Sequence, residues 1–164
     1  MRIAIVDDLA DERVLLRQRL EHQLARRNVQ ADLLEYESGE AFLTAAQDEP
    51  FTVAFLDIYM AGANGIETAR ALRQHDTDCL LIFTTTSTDH ALEGFQVRAM
   101  QYLVKPFTED DIAQLMDEIF ARLPQPDKYM ALKTSEGELR LAYKNILYAE
   151  HFAHVIYIHT TAGK

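Results

Sequence analysis

The chain has one cysteine, Cys79, in 164 residues. An internal disulfide is therefore excluded, and the composition fits the reducing cytosol. Cys79 opens an apolar run and reads as a small core residue. Long apolar runs are missing too, so no segment is expected to span a bilayer and no membrane contact is expected. The first eight residues lead straight into an acid-ended apolar run, too short and too acidic for a secretory leader. Positive charge is scarce. The chain carries 16 Lys and Arg against 26 Asp and Glu, a net charge of −10. The imbalance is uneven: residues 1–123 hold 11 basic and 22 acidic side chains, residues 124–164 hold 5 and 4. An acidic first part and a near-neutral tail exclude nucleic-acid binding driven by charge, which needs a basic surface. The six glycines form neither a dinucleotide fingerprint nor a P-loop, because Asp7 and Asp8 stand where those glycines would be needed.

Hydrophobic residues are plentiful at 48%, enough for one packed domain and part of a second unit. Strand and helix patterns alternate from residue 2 to about 123. Strands are predicted over 2–7, 31–36, 51–57, 79–85 and 101–104. The first helix runs to about Arg27, with Val14, Leu16, Leu20 and Leu24 at helical spacing. Ser38 caps a helix through Ala46, and a loop with Gly62, Asn64 and Gly65 opens one over 65–74. A fourth helix is predicted over 88–96. Pro106 breaks the chain and Thr108 caps the fifth helix, whose first turn carries Glu109, Asp110 and Asp111 and whose apolar face carries Ile112, Leu115, Ile119 and Leu123. Five such units imply an α/β fold, a doubly wound five-stranded parallel sheet between helical layers. Residues 124–128 read as a linker. Beyond it, strands near 129–133, 138–142, 146–150 and 154–160, with a turn at Glu136-Gly137, imply a short antiparallel β tail. No internal repeat or low-complexity segment is evident.

Chemistry concentrates at the predicted strand ends. Asp7 and Asp8 end the first strand, Asp57 the third, Thr85 the fourth and Lys105 the fifth. In an open α/β sheet, ligands bind at that edge. Clustered carboxylates repel one another and need a cation, and all-oxygen ligands suit Mg²⁺. Asp57 is the candidate nucleophile, able to form an acyl phosphate. Asp7 and Asp8 are candidate metal ligands, and the Tyr59 backbone carbonyl could add another. Thr85 offers a hydroxyl and Lys105 a compact positive charge to phosphoryl oxygens. Any one of these acids alone reads as a cap or a solvated loop residue; together, at four strand ends, they point to a site. Other signals are bland. His90 reads as a surface residue of the fourth helix. His151 and His154 fall on opposite faces of a strand, against a zinc site. Tyr143, Tyr148, Phe152 and Tyr157 read as strand packing.

Val6-Asp7-Asp8, Leu56-Asp57-Ile58, Thr85 and Lys105-Pro106-Phe107 resemble the response-regulator receiver domain of bacterial two-component signalling, over about residues 1–123. The resemblance implies a flavodoxin-like fold and makes Asp57 the phosphoacceptor, served by a partner histidine kinase. Asp8, Asp57 and the Tyr59 carbonyl would hold Mg²⁺ directly, with Asp7 assisting. Thr85 and Lys105 would grip the phosphoryl group, and Tyr102 would be the switch aromatic that alters the fourth helix, fifth strand and fifth helix. A cis peptide is implied before Pro106. The sequence departs from the family in two places: Ala61 stands where proline usually follows, and Thr86 replaces a small residue beside the switch threonine. Phe83 to Thr86, Ala91 to Phe95 and Tyr102 to Phe107 look like receivers attached to LytTR-type (LytR/AlgR) DNA-binding domains. Leu132-Lys133-Thr134, Gly137 and Asn145 to Glu150 resemble the opening of such a domain. Residues 129–164 would then be its N-terminal fragment, so that DNA is contacted only through a part lying beyond Lys164. The unpaired strands of such a fragment are expected to join two copies into a homodimer. Two other functions are possible: a phosphorylation-independent interaction module, and an Asp-nucleophile phosphatase. The second needs an acid two residues after the nucleophile, where Tyr59 stands.

Overall fold

In the computed structural model the described residues are 1–87, 89, 91–124, 129–134, 137–153 and 155–161. They fall into two compact units, Met1–Arg122 and Leu123–Lys164, each described by itself. The first unit alternates strand and helix: β1 (Arg2–Val6), α1 (Ala10–Arg26), β2 (Asp32–Tyr36), α2 (Gly39–Asp48), β3 (Val53–Asp57), α3 (Gly65–Arg73), β4 (Leu80–Thr85), α4 (Ala91–Gln96), β5 (Gln101–Val104) and α5 (Glu109–Arg122). All five strands are parallel, in the order β2-β1-β3-β4-β5. This is the expected doubly wound sheet, with its switch point between β1 and β3.

Burial follows position in the sheet. Every residue of central β3 is buried, while edge strands β2 and β5 are only partly covered. A strand covered on both faces must be apolar throughout, which is why residues 53–56 show no alternation. One face collects Ala4, Val6, Ala54, Leu56, Leu81 and Phe83 with Phe42, Ile66 and Leu72 from the helices. The alternate residues, Ile3, Ile5, Val53, Phe55 and Ile82, are buried on the other face. Phe42, Phe55 and Phe83 have no exposed surface. Each stabilises the fold by about 1.5–3 kcal/mol through its burial.

Local signals set the helix ends as expected, with small differences. The Ser38 hydroxyl accepts the Ala41 N–H at 3.2 Å, and α2 then runs two residues past Ala46. Asn64 and Glu67 form a reciprocal capping box on α3. Thr108 accepts the Asp111 N–H at 3.2 Å while Asp111 accepts the Thr108 N–H at 2.7 Å. Leu16, Leu20 and Leu24 are buried, but Val14 is 47% exposed. The correction is geometric: two residues before Leu16 is about 200° around a helix, on the far side. The predicted helix over 88–96 is seen as α4 from Ala91, and Thr88 and His90 lie outside the described residues.

The second unit has two antiparallel hairpins, β6 (Tyr129–Thr134) with β7 (Gly137–Ala142) and β8 (Ile146–Phe152) with β9 (Val155–Thr160). They form two separate two-stranded sheets, because a 3₁₀ turn, Tyr143–Asn145, interrupts the chain between β7 and β8. The expected strand packing of the aromatics needs correction. Tyr143 lies in that turn and is exposed, Phe152 is 73% exposed, and Tyr148 is exposed while its ring stacks on His159 at 4.3 Å. A lone hairpin has no second layer to cover such side chains. Glu136, His154 and residues 125–128 of the expected linker lie outside the described residues.

Candidate functional site

β1 and β3 are neighbours in register, with Val6 opposite Leu56. The next residue along each strand is an aspartate, so Asp7 and Asp57 emerge side by side at the C-terminal edge of the sheet. Asp8 follows in the turn. One carboxylate oxygen from each of Asp7, Asp8 and Asp57 lies within 4.8 Å of the others. The approach of the next loop is set by Gly65: a Cβ there would stand 2.2 Å from the Asp57 carbonyl oxygen, so only glycine fits.

Each carboxylate is held differently. Asp7 is buried; one oxygen accepts the Leu9 N–H at 2.9 Å and the other accepts Lys105 Nζ at 2.7 Å. Asp8 accepts the Ala61 N–H at 3.0 Å, so the residue that replaces the usual proline supplies a donor that proline lacks. Asp57 accepts Lys105 Nζ at 3.2 Å. The Lys105-Pro106 bond is cis, as expected, and the lysine side chain reaches across from β5 to both acids. Burial pushes the Asp57 carboxyl above its ordinary range; Asp7 and Asp8 push the same way, and Lys105 opposes them. For Lys105, burial alone would lower the ammonium, but its hydrogen bond to Asp7 and the charges of Asp57 and Asp7 outweigh burial and raise it.

Thr85 is fully buried at the end of β4, but its hydroxyl is turned to the following loop. It donates to the Ser87 carbonyl at 2.8 Å and accepts the Ser87 N–H at 3.1 Å. Thr84, not Thr85, stands opposite Asp57 in the strand register. Tyr102 on β5 is paired with Phe83, and their rings lie 5.5 Å apart. Tyr59 follows β3 with its side chain about half exposed. Thr86 lines a small cavity of about 300 Å³ with Glu12, Leu15, Arg19, Lys105 and Phe107.

Two residues of this neighbourhood escaped the sequence reading. Glu12 Oε2 lies 3.8 Å from Lys105 Nζ, a third carboxylate on the same ammonium after Asp7 and Asp57. Its position four residues after Asp8, on a helix leaving the site, is the signal that could have found it. Arg13 donates to the Asp7 backbone carbonyl at 2.6 Å and bridges to Glu35, fixing the turn that carries the acid pair. Nothing in its spacing marks that role.

The response regulator receiver domain family matches residues 3–117. The sensory transduction protein LytT of Oceanobacillus iheyensis is 35% identical over 121 residues, covering 73% of this chain and 48% of that protein. LytT of Bacillus anthracis is 28% identical over 144 residues, covering 88% of this chain and 53% of that protein. The chain thus spans about half the length of these relatives. Among solved structures, response regulator TrrA from Thermotoga maritima, in complex with Mg²⁺-BeF, superposes with a TM-score of 0.62 at 27% identity, covering 72% of this chain and 97% of that one. Fold, strand-end acids and family match agree: this chain belongs to the response regulator receiver domain family.

Proposed function

We propose that residues 1–123 form a phosphorylation switch in which Asp57 accepts a phosphoryl group from a sensor histidine kinase. The observation that carries this reading is the convergence of three carboxylates within 4.8 Å beside an ammonium 3.2 Å from Asp57. A carboxylate oxygen of Asp57 attacks phosphorus. The phosphorus–nitrogen bond of the donor phosphohistidine breaks, the bonding electrons leave with the imidazole, and an acyl phosphate remains on Asp57. The three carboxylates of Asp7, Asp8 and Asp57, with the Tyr59 carbonyl that the family resemblance adds, make an all-oxygen donor set that fits Mg²⁺. When bound, the ion supplies charge neutralisation for the incoming phosphoryl group. Lys105, already held between Asp7 and Asp57, then pairs with a phosphoryl oxygen. Thr85 offers its hydroxyl once it leaves Ser87, and Tyr102 follows, changing the surface of α4, β5 and α5.

This is a signalling role without substrate turnover. The tyrosine at position 59 leaves the phosphatase alternative without the second acid it requires. Residues 129–164, after a linker at 124–128, are read as the N-terminal fragment of a LytTR-like DNA-binding domain. Two features support that reading: the two β hairpins, and a match to LytT of Bacillus anthracis long enough to extend past residue 122. On this reading the protein works in the cytoplasm and regulates transcription through a part of that domain not in this chain, and the exposed hairpin strands join two copies. Among the described residues no helix is long and apolar enough to cross a membrane. The test is the intact mass of the chain after acetyl phosphate with Mg²⁺. One added phosphoryl group, absent from Asp57→Ala, is expected; the same gain in both proteins would refute the assignment.

A further inference from the structure

Gly94 lies inside α4 and is buried. Glycine weakens a helix relative to alanine, so its use there calls for a steric reason. The reason is Tyr102. A Cβ on residue 94 would stand 1.7 Å from the Tyr102 hydroxyl oxygen, 2.6 Å from Cζ and 3.0 Å from Cε2. The ring is backed by Phe83 and packs against the core of that face. A side chain at position 94 and Tyr102 in this place exclude one another. Burial and the neighbouring Glu93 push the phenol up from its ordinary range, and the Gly94 backbone opposes them.

Tyr102 sits opposite Phe83, two residues before Thr85, whose hydroxyl is tied to Ser87. We propose that Gly94 is a positioning residue, a socket that seats Tyr102 on α4 while Thr85 is bound to Ser87 and so sets the resting population of the switch. This rests on the reading of Asp57 as phosphoacceptor. Phosphorylation draws Thr85 off Ser87, Tyr102 leaves the socket, and α4 loses a buttress. Leu92 and Phe95, 81% and 85% exposed on the same helix, report that change at the surface. A ligand or modification favours whichever state it binds better, so destabilising the seated state shifts the population and raises the phosphorylation rate.

The test compares wild type, Gly94→Ala, Tyr102→Ala and the double variant of the 164-residue chain. In a ¹³C-tyrosine-labelled sample, the Tyr102 resonance, assigned by its loss in Tyr102→Phe, should move in Gly94→Ala. The initial rate of Mg²⁺-dependent phosphorylation by acetyl phosphate should rise at least about threefold in Gly94→Ala, a population effect. It should be unchanged between Tyr102→Ala and the double variant. If Gly94→Ala folds poorly, the double variant should regain the melting temperature of Tyr102→Ala, since the collision is gone. An unmoved resonance, a rate gain that survives removal of Tyr102, or a double variant as unstable as the single one overturns the socket. A wild type that takes no phosphoryl group overturns the phosphoacceptor reading instead, and the resonance and melting comparisons still decide the socket.

Discussion

Replacing Lys105 with alanine should lower stability in a way that depends on pH and on divalent cations. Nζ lies 2.7 Å from Asp7 and 3.2 Å from Asp57, and its side chain is only 13% exposed. Removing one partner of a buried ion pair costs about 3–5 kcal/mol. Here Asp57 can take up a proton and water can enter from the open edge, so we expect about 2–3 kcal/mol at neutral pH. For a unit of this size that lowers the melting temperature by roughly 6–15 °C. The sign with pH follows from Asp57, whose folded carboxyl is already raised by burial and by its acidic neighbours. A raised group binds its proton more tightly in the folded than in the unfolded state. Its stabilisation is therefore full below the unfolded pKa and is lost as pH rises through the folded value. Without Lys105, which opposes the rise, that folded value moves higher still. The deficit of Lys105→Ala should thus be smaller at pH 5 than at pH 7, and millimolar Mg²⁺ should shrink it at pH 7. Differential scanning calorimetry of both proteins at the two pH values, with and without Mg²⁺, reads all three effects. A deficit equal at both pH values and indifferent to Mg²⁺ would refute the picture of a carboxylate cluster held together by this ammonium.

Asp8→Asn should weaken Mg²⁺ binding, tenfold for each 1.4 kcal/mol of lost attraction, about what one hard charge supplies; an unchanged titration would make the acid pair structural. Cys79 is buried, and burial, with Asp76 adding and Arg73 opposing, pushes its thiol up to about 12, so a thiol reagent at pH 8 should react only after denaturant is added; fast reaction of the native chain would contradict the packing. Phe55→Ala, in the middle of β3, should cost about 3–5 kcal/mol in a denaturant titration, and a loss below 1 kcal/mol would mean the central strand repacks freely. Light scattering should show the 164-residue chain as a dimer and a chain ending at Leu123 as a monomer; equal masses would remove the hairpins from the interface.

Much of the first unit was legible because its strands end in acids. Runs such as Val53 to Leu56 carry no alternation, and only a strand covered on both faces explains an apolar run stopped by Asp57. The same logic put Asp7, Asp57 and Lys105 at one edge, and the strand order did bring them together. What spacing could not tell was direction. Thr85 lies where expected, yet its hydroxyl is spent on Ser87, a choice made by loop geometry. Glu12 and Gly94 owe their places to contacts between elements, with Lys105 far along the chain for one and with Tyr102 on the following strand for the other. Val14 failed on angle alone. In the tail the strands were readable, but their separation into two hairpins hangs on a three-residue turn at Tyr143–Asn145 that carries no proline or glycine to announce it.

The central claim is that one carboxylate, Asp57, carries the phosphoryl group, and trapping the acyl phosphate tests it most directly. After acetyl phosphate with Mg²⁺, borohydride reduces an aspartyl phosphate to homoserine, and peptide mass spectrometry reads which residue was converted. The account predicts homoserine at position 57 and at no other aspartate. Conversion at Asp7 or Asp8, or none at any aspartate under conditions where the intact mass has risen, would contradict it.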